Sequence, residues 1–193
     1  MLGTHVLISA QERSTIPGGL REAAFWVGVR QEVYNAFVNQ RSFLPSLEHS
    51  NIDRSFEPAD DVTWVNRIVV TCADVLRWCF GEGDHSIATY NQLLEYCSNW
   101  MIFKPPSFAP IHLGEASEDA VFPEIWLLNG FVTAGLQYYH LTKVLLTAHN
   151  PKLPRLGPGQ KAASRIMDEE LKYSIVNLCG LAESNTQAPP VFV

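Results

Sequence analysis

Apolar positions recur every three or four residues along most of this chain, the period of helices that bury one face. Over residues 20–41 the residues Trp26, Val29, Val33 and Phe37 keep that spacing, and Pro45 with the polar run after it ends the element. A second helix is predicted over residues 59–80, with Trp64, Ile68, Cys72, Val75 and Cys79 on one stripe. Asp60 and Asp61 suit its positive first turn, and Gly81 and Gly83 stop it. Asp84 or Ser86 can cap a third helix, in which Ile87, Tyr90, Leu94, Cys97 and Met101 form a short seam.

Lys104-Pro105-Pro106 breaks that helix, and the stretch to Asp119 reads as an extended connector. Pro123 fits the first position of a helix, so residues 123–149 are expected to form one long apolar helix of about 40 Å. Such a length could span a bilayer. The segment nevertheless holds Asn129, Gln137, His140 and Lys143 and lacks a basic flank, which favours the centre of a helical bundle. Asn150-Pro151 and the cluster Pro154, Gly157, Pro158, Gly159 close it. A last helix over residues 160–183 carries Ala163, Ile166, Glu170, Leu171, Ile175, Leu178 and Ala182 on one side. With no alternating run of β-branched residues and no internal repeat, the pattern predicts an all-α fold, an irregular bundle of about five helices. Residues 1–19 read as a loose leader and residues 20–193 as one helical domain.

Composition narrows the function classes. Hydrophobic residues make up 47% of the chain and charged ones 18%, so a packed core is expected. The net charge of −6 argues against direct nucleic-acid binding, which draws on Lys and Arg. Cys72, Cys79, Cys97 and Cys179 lie mostly in apolar helical patterns, where a free thiol packs as a small hydrophobe. No secretory signal is visible, so a reducing compartment is expected.

Searches for chemistry return little. A nucleophile elbow, a phosphate-binding glycine loop and a paired-His zinc motif are all missing from the sequence. His140 and His149 stand nine residues apart, too far along a helix to share an ion, and Cys72 and Cys79 stand two turns apart. His85 beside Asp84 reads as part of a solvated cap. No catalytic, cofactor or metal residue is assigned. The aromatic residues Trp78, Tyr90, Trp100, Phe103, Phe108, Trp126, Tyr138 and Tyr139 crowd the middle of the chain. They fit core packing first and the lining of a ligand cavity second.

Several stretches resemble the regulatory, or middle homology, region of fungal zinc binuclear cluster transcription factors. LREAAFWVGVRQEVYNAFVNQR at Leu20, with Trp26 ahead of Arg30-Gln31-Glu32-Val33-Tyr34, is similar to a helix common in that family. ADVLRWCFG at Ala73, the helix holding Trp100, and KPPSFAPI at Lys104 follow in the family's order. PEIWLLNGFVTAGLQYYHLTKVLLTAHNP at Pro123 resembles its long central helix, and LCGLAESNTQAPPVFV at Leu178 the helix end and turn before a further helix. The likeness runs over residues 20–193. The family's DNA-binding module needs six cysteines in two CxxC-led halves, and this chain has four cysteines and no CxxC. The chain is therefore expected to be C-terminally incomplete relative to the family, part of a larger helical regulatory domain.

The resemblance implies a transcription-regulatory domain in the nucleus that acts by protein contact, in control of a metabolic gene cluster. It would bind no nucleic acid and no membrane. Its partners would be a second copy or a full-length relative, with room for a small-molecule effector. The alternative is a non-catalytic small-molecule binding or accessory module of a fungal metabolic pathway. An enzyme ranks last. If relatives add helices, the long helix at 123–149 is the element expected to be left uncovered.

Overall fold

The computed structural model describes residues 19–47, 52–115, 121–154 and 156–186. Over these residues the fold is all-α, with five helices: α1 (Gly19–Val38), α2 (Asp61–Phe80), α3 (Ile87–Phe103), α4 (Gly130–Ala148) and α5 (Gln160–Ser184). A 3₁₀ turn at Pro106–Phe108 and two three-residue strands, β1 (His112–Gly114) and β2 (Glu124–Trp126), fill the connection between α3 and α4.

The centre is shared by α2 and α4. Every residue of α2 from Trp64 through Ala73 is buried, so this helix is enclosed on all sides and not along one stripe. Its polar members are provided for: Asn66 accepts from Arg30 Nη2 at 3.0 Å, and Thr71 Oγ1 donates to Arg67 O at 2.8 Å. α4 lies between α2 and α5, and its close approach to α2 requires a glycine. A Cβ on Gly135 would stand 2.9 Å from both Phe108 and Val65.

The caps explain the boundaries. Asp60 accepts from Thr63 N at 2.8 Å and so precedes α2, while Asp61 alone occupies the first turn. Ser86 Oγ accepts from Thr89 N at 3.1 Å to start α3. α1 ends where Gln40 takes a positive φ of 48°.

The expected long helix is shorter than its apolar run. α4 starts at Gly130, where Asn129 Oδ1 accepts from Val132 N at 2.9 Å. Pro123 does not open a helix. Residues 124–126 pair antiparallel with 112–114, His112 facing Trp126 and Leu113 facing Ile125. From Glu124 to Leu128 exposure alternates, with Ile125 and Leu127 buried and the others in solvent. That period of two belongs to a strand. The stretch after Lys104 is likewise not a loose connector, because Phe108 is fully buried.

Nor is α4 left uncovered. Twelve of its nineteen residues are buried, under α2, α5, α3 and the 3₁₀ turn. No described helix is long and apolar enough to cross a membrane. The thin cover is instead on α5, which buries only Ser174, Gly180 and Leu181 and leaves Ile166, Tyr173 and Ile175 exposed. The leader expected at residues 1–19 lies outside the described residues except for Gly19, and the turn after α5 is described only to Thr186.

Candidate functional site

The sequence assigned no site residue, so the chemistry-bearing groups were followed to where the fold places them. The thiols of Cys72, Cys79 and Cys97 are pushed up to about 12 by burial, which keeps them protonated and unreactive. All four cysteines are free, and no group of three or more His, Cys, Asp or Glu that could hold a metal exists among the described residues. His140 is buried against Tyr139 and Tyr173 (ring centroids 5.1 and 6.2 Å), and its Nδ1 has no hydrogen-bond partner. Burial first, then the Lys143 charge, holds its pKa down to about 4, so the ring is neutral.

The arginines are structural. The buried Arg67 guanidinium donates to Glu57 O at 3.0 Å, to Ser55 Oγ at 3.3 Å and to the Asp53 carboxylate, and it lies over the Trp64 ring. The Arg67 bond, with help from Ser55, pulls the Asp53 pKa down to about 2. Arg77 donates to Phe43 O and Pro45 O, and Arg41 to Glu32 Oε1 at 2.6 Å. Together they fasten the long α1–α2 connection, which has no regular structure of its own, to the flank of α2.

The aromatic residues divide into three groups. Trp100 Nε1 donates to Trp64 O at 2.9 Å, and its ring meets Phe108 edge-on at 5.5 Å and stacks on Tyr139 at 5.8 Å. This group, with Tyr138, is core, as core packing required. Trp78 and Tyr90 form a second pair, 5.4 Å apart, and His85 adjoins Trp78 at 6.1 Å. Trp126 stands apart on β2, half exposed, and Phe103 is also in solvent, against Phe56.

Two open cavities result. One of about 340 Å³ lies between α4 and α5, lined by Tyr139, Lys143, Ile166, Glu169, Glu170 and Tyr173 among others. The other, of about 510 Å³, lies where α2 and α4 end, and Trp78, Cys79, His85, His149, Asn150 and Pro151 line part of it. Asp84 caps Ser86 and Thr89, whose bonds hold its carboxyl below the ordinary value, as the cap reading of this loop expected. His149 and Asn150 were not singled out as site residues by their sequence; the available signal was a His and Asn-Pro at the end of an apolar helix.

Large apolar side chains also remain outside the core. Ile111, Leu113, Trp126, Leu128 and Phe131, at 50–68% exposure, gather on the ribbon and the first turn of α4. The free edge of β2 is closed by α5: Ser184 Oγ accepts from Ile125 N at 3.0 Å, and Asn185 Oδ1 from Leu127 N at 3.2 Å. Asn185 Nδ2 donates to Ile125 O at 2.7 Å.

Comparison of the chain with protein-family models, with curated proteins and with solved structures finds no match.

Proposed function

We propose that this chain is a regulatory module that works by protein contact, in the manner that its likeness to the middle region of fungal zinc-cluster transcription factors implies. The observation that carries the contact part is the group of exposed apolar side chains on the ribbon. A soluble surface rarely gathers residues such as Ile111, Leu113, Trp126, Leu128 and Phe131 over one short stretch unless something covers them. Trp is also the side chain most often found at the energetic centre of protein interfaces. On this reading the module acts in the nucleus, on a metabolic gene cluster, and reaches DNA only through its partner, a full-length relative or another regulator.

A recruitment assay tests it. The chain is fused to a heterologous DNA-binding domain and directed to a reporter promoter in a fungal host. The expected result is a change in reporter output that Trp126→Ser combined with Leu113→Ser abolishes without lowering the protein's abundance. Unchanged output from the wild-type fusion overturns the proposal.

A further inference from the structure

The cavity of about 510 Å³ at the ends of α2 and α4 is within the size range of small-molecule sites. α2 ends at Gly81 and α4 at His149, so the partial negative ends of two helix dipoles meet beside it. Each of its imidazoles is held by a carbonyl at one of those ends. His85 Nε2 bonds Gly81 O at 2.9 Å, and His149 Nδ1 bonds Leu145 O at 3.0 Å. A carbonyl only accepts, so the hydrogens sit on those two nitrogens, and the neutral rings keep lone pairs on His85 Nδ1 and His149 Nε2. The indole of Trp78 forms part of the wall, with Tyr90 packed against it. This ring pair already attracts a cation, since the Lys152 ammonium lies 5.5 Å from the Tyr90 centroid. Pro151, Leu153 and Pro154 supply apolar surface opposite these acceptors.

We propose that this cavity binds a small organic cation, a primary ammonium carried on an aromatic body. The ammonium donates to His85 Nδ1 and His149 Nε2, and the ring packs on Trp78 and the two prolines. The site is separate from the ribbon and stands or falls independently of the protein-contact reading.

The test uses the full chain and benzylammonium as probe, with benzyl alcohol and benzoate as partners of the same shape but neutral and negative. Proton–nitrogen spectra follow the indole N–H signals, and contacts from the benzyl protons to the Trp78 or His149 rings locate the ligand without any variant. The expected result is saturable binding of benzylammonium at least tenfold tighter than either analogue. Both histidines are exposed, so the double variant His85→Ala with His149→Ala should keep the fold and weaken binding at least tenfold. Benzoate binding as tightly as benzylammonium, benzyl contacts only at Trp126, an unaffected double variant, or no saturable shift at millimolar probe each overturns the proposal.

Discussion

At the scale of single residues, the buried imidazole of His140 makes the clearest prediction. Its pKa lies at about 4 in the folded chain against an ordinary 6.5, so the unfolded chain takes up a proton that the folded one refuses. The sign follows: stability is unaffected above pH 6.5, falls as pH drops from 6.5 to 4, and changes no further from this group below that. The loss corresponds to roughly 3 kcal/mol at most. Urea unfolding at stepped pH should show this fall, and His140→Gln should flatten it. A wild-type curve that is level across this window would contradict the burial of a neutral ring. The glycines give a second residue-scale test. A Cβ at Gly180 would lie 2.4 Å from the Pro123 carbonyl oxygen, a backbone atom, and one at Gly135 would lie 2.9 Å from Phe108 and Val65. Gly135→Ala and Gly180→Ala are each expected to cost about 1–3 kcal/mol by overpacking, despite the gain in helix propensity. Gly83→Ala, which meets nothing within 4 Å, should be neutral within about 0.5 kcal/mol. Melting temperatures of the three variants check the ranking.

At the scale of elements, the two-stranded ribbon depends on α5, because a hairpin this short is marginal alone. Ser184 and Asn185 act as a third strand for β2, and Asn185 Nδ2 also donates to Leu181 O at 2.8 Å, which ties the bond to the helix end. Asn185→Ala is expected to cost about 1–2 kcal/mol and to speed amide exchange at Leu127 more than in α2. Uniform exchange rates across both elements would show that the side chain does not hold the strand. This ribbon is also where the sequence was hardest to read. The helices were legible because their stripes are long and their caps, Asp60 and Ser86, are ordinary ones. Ile125-Trp126-Leu127-Leu128 runs without a polar break into an apolar helix, and only the exposure pattern distinguishes its period of two from a period of 3.6. Asn129, the residue that marks the boundary, read as a polar interruption and not as a cap. The 510 Å³ cavity was less legible still, because it joins residues about seventy positions apart, Trp78 and His149, through the packing of α2 on α4. The aromatic crowding was visible; that Trp78 and Tyr90 leave the core group was not.

At the scale of the whole molecule, the question is what covers the apolar surface that remains. The sequence located it on the long helix, but α4 is enclosed by α2, α5 and the buried Phe108. The exposed residues lie instead on the ribbon and along α1, where Leu20 and Val27 are 90% and 64% exposed. Trp126 is the most weighty of them. Burying the exposed half of an indole, on the order of 100 Å², contributes roughly 2–3 kcal/mol, and the neighbouring Leu128 and Phe131 add comparable amounts. Association must overcome the loss of translational and rotational freedom, so these three side chains alone would support only a weak contact. Added surface from Ile111 and Leu113 brings the patch nearer to the size of a specific interface. The chain at micromolar concentration is therefore expected to sediment as species heavier than its 21.6 kDa monomer and to bind a hydrophobic dye. Trp126→Ser should shift it toward the monomer and reduce dye binding, while Leu20→Ser, on α1 at the other end of the described chain, should change either much less. A sharp monomer peak with no dye bound by the wild-type chain would mean that the ribbon is stable in water as it stands. Dissociation caused equally by Leu20→Ser would move the contact from the ribbon to α1.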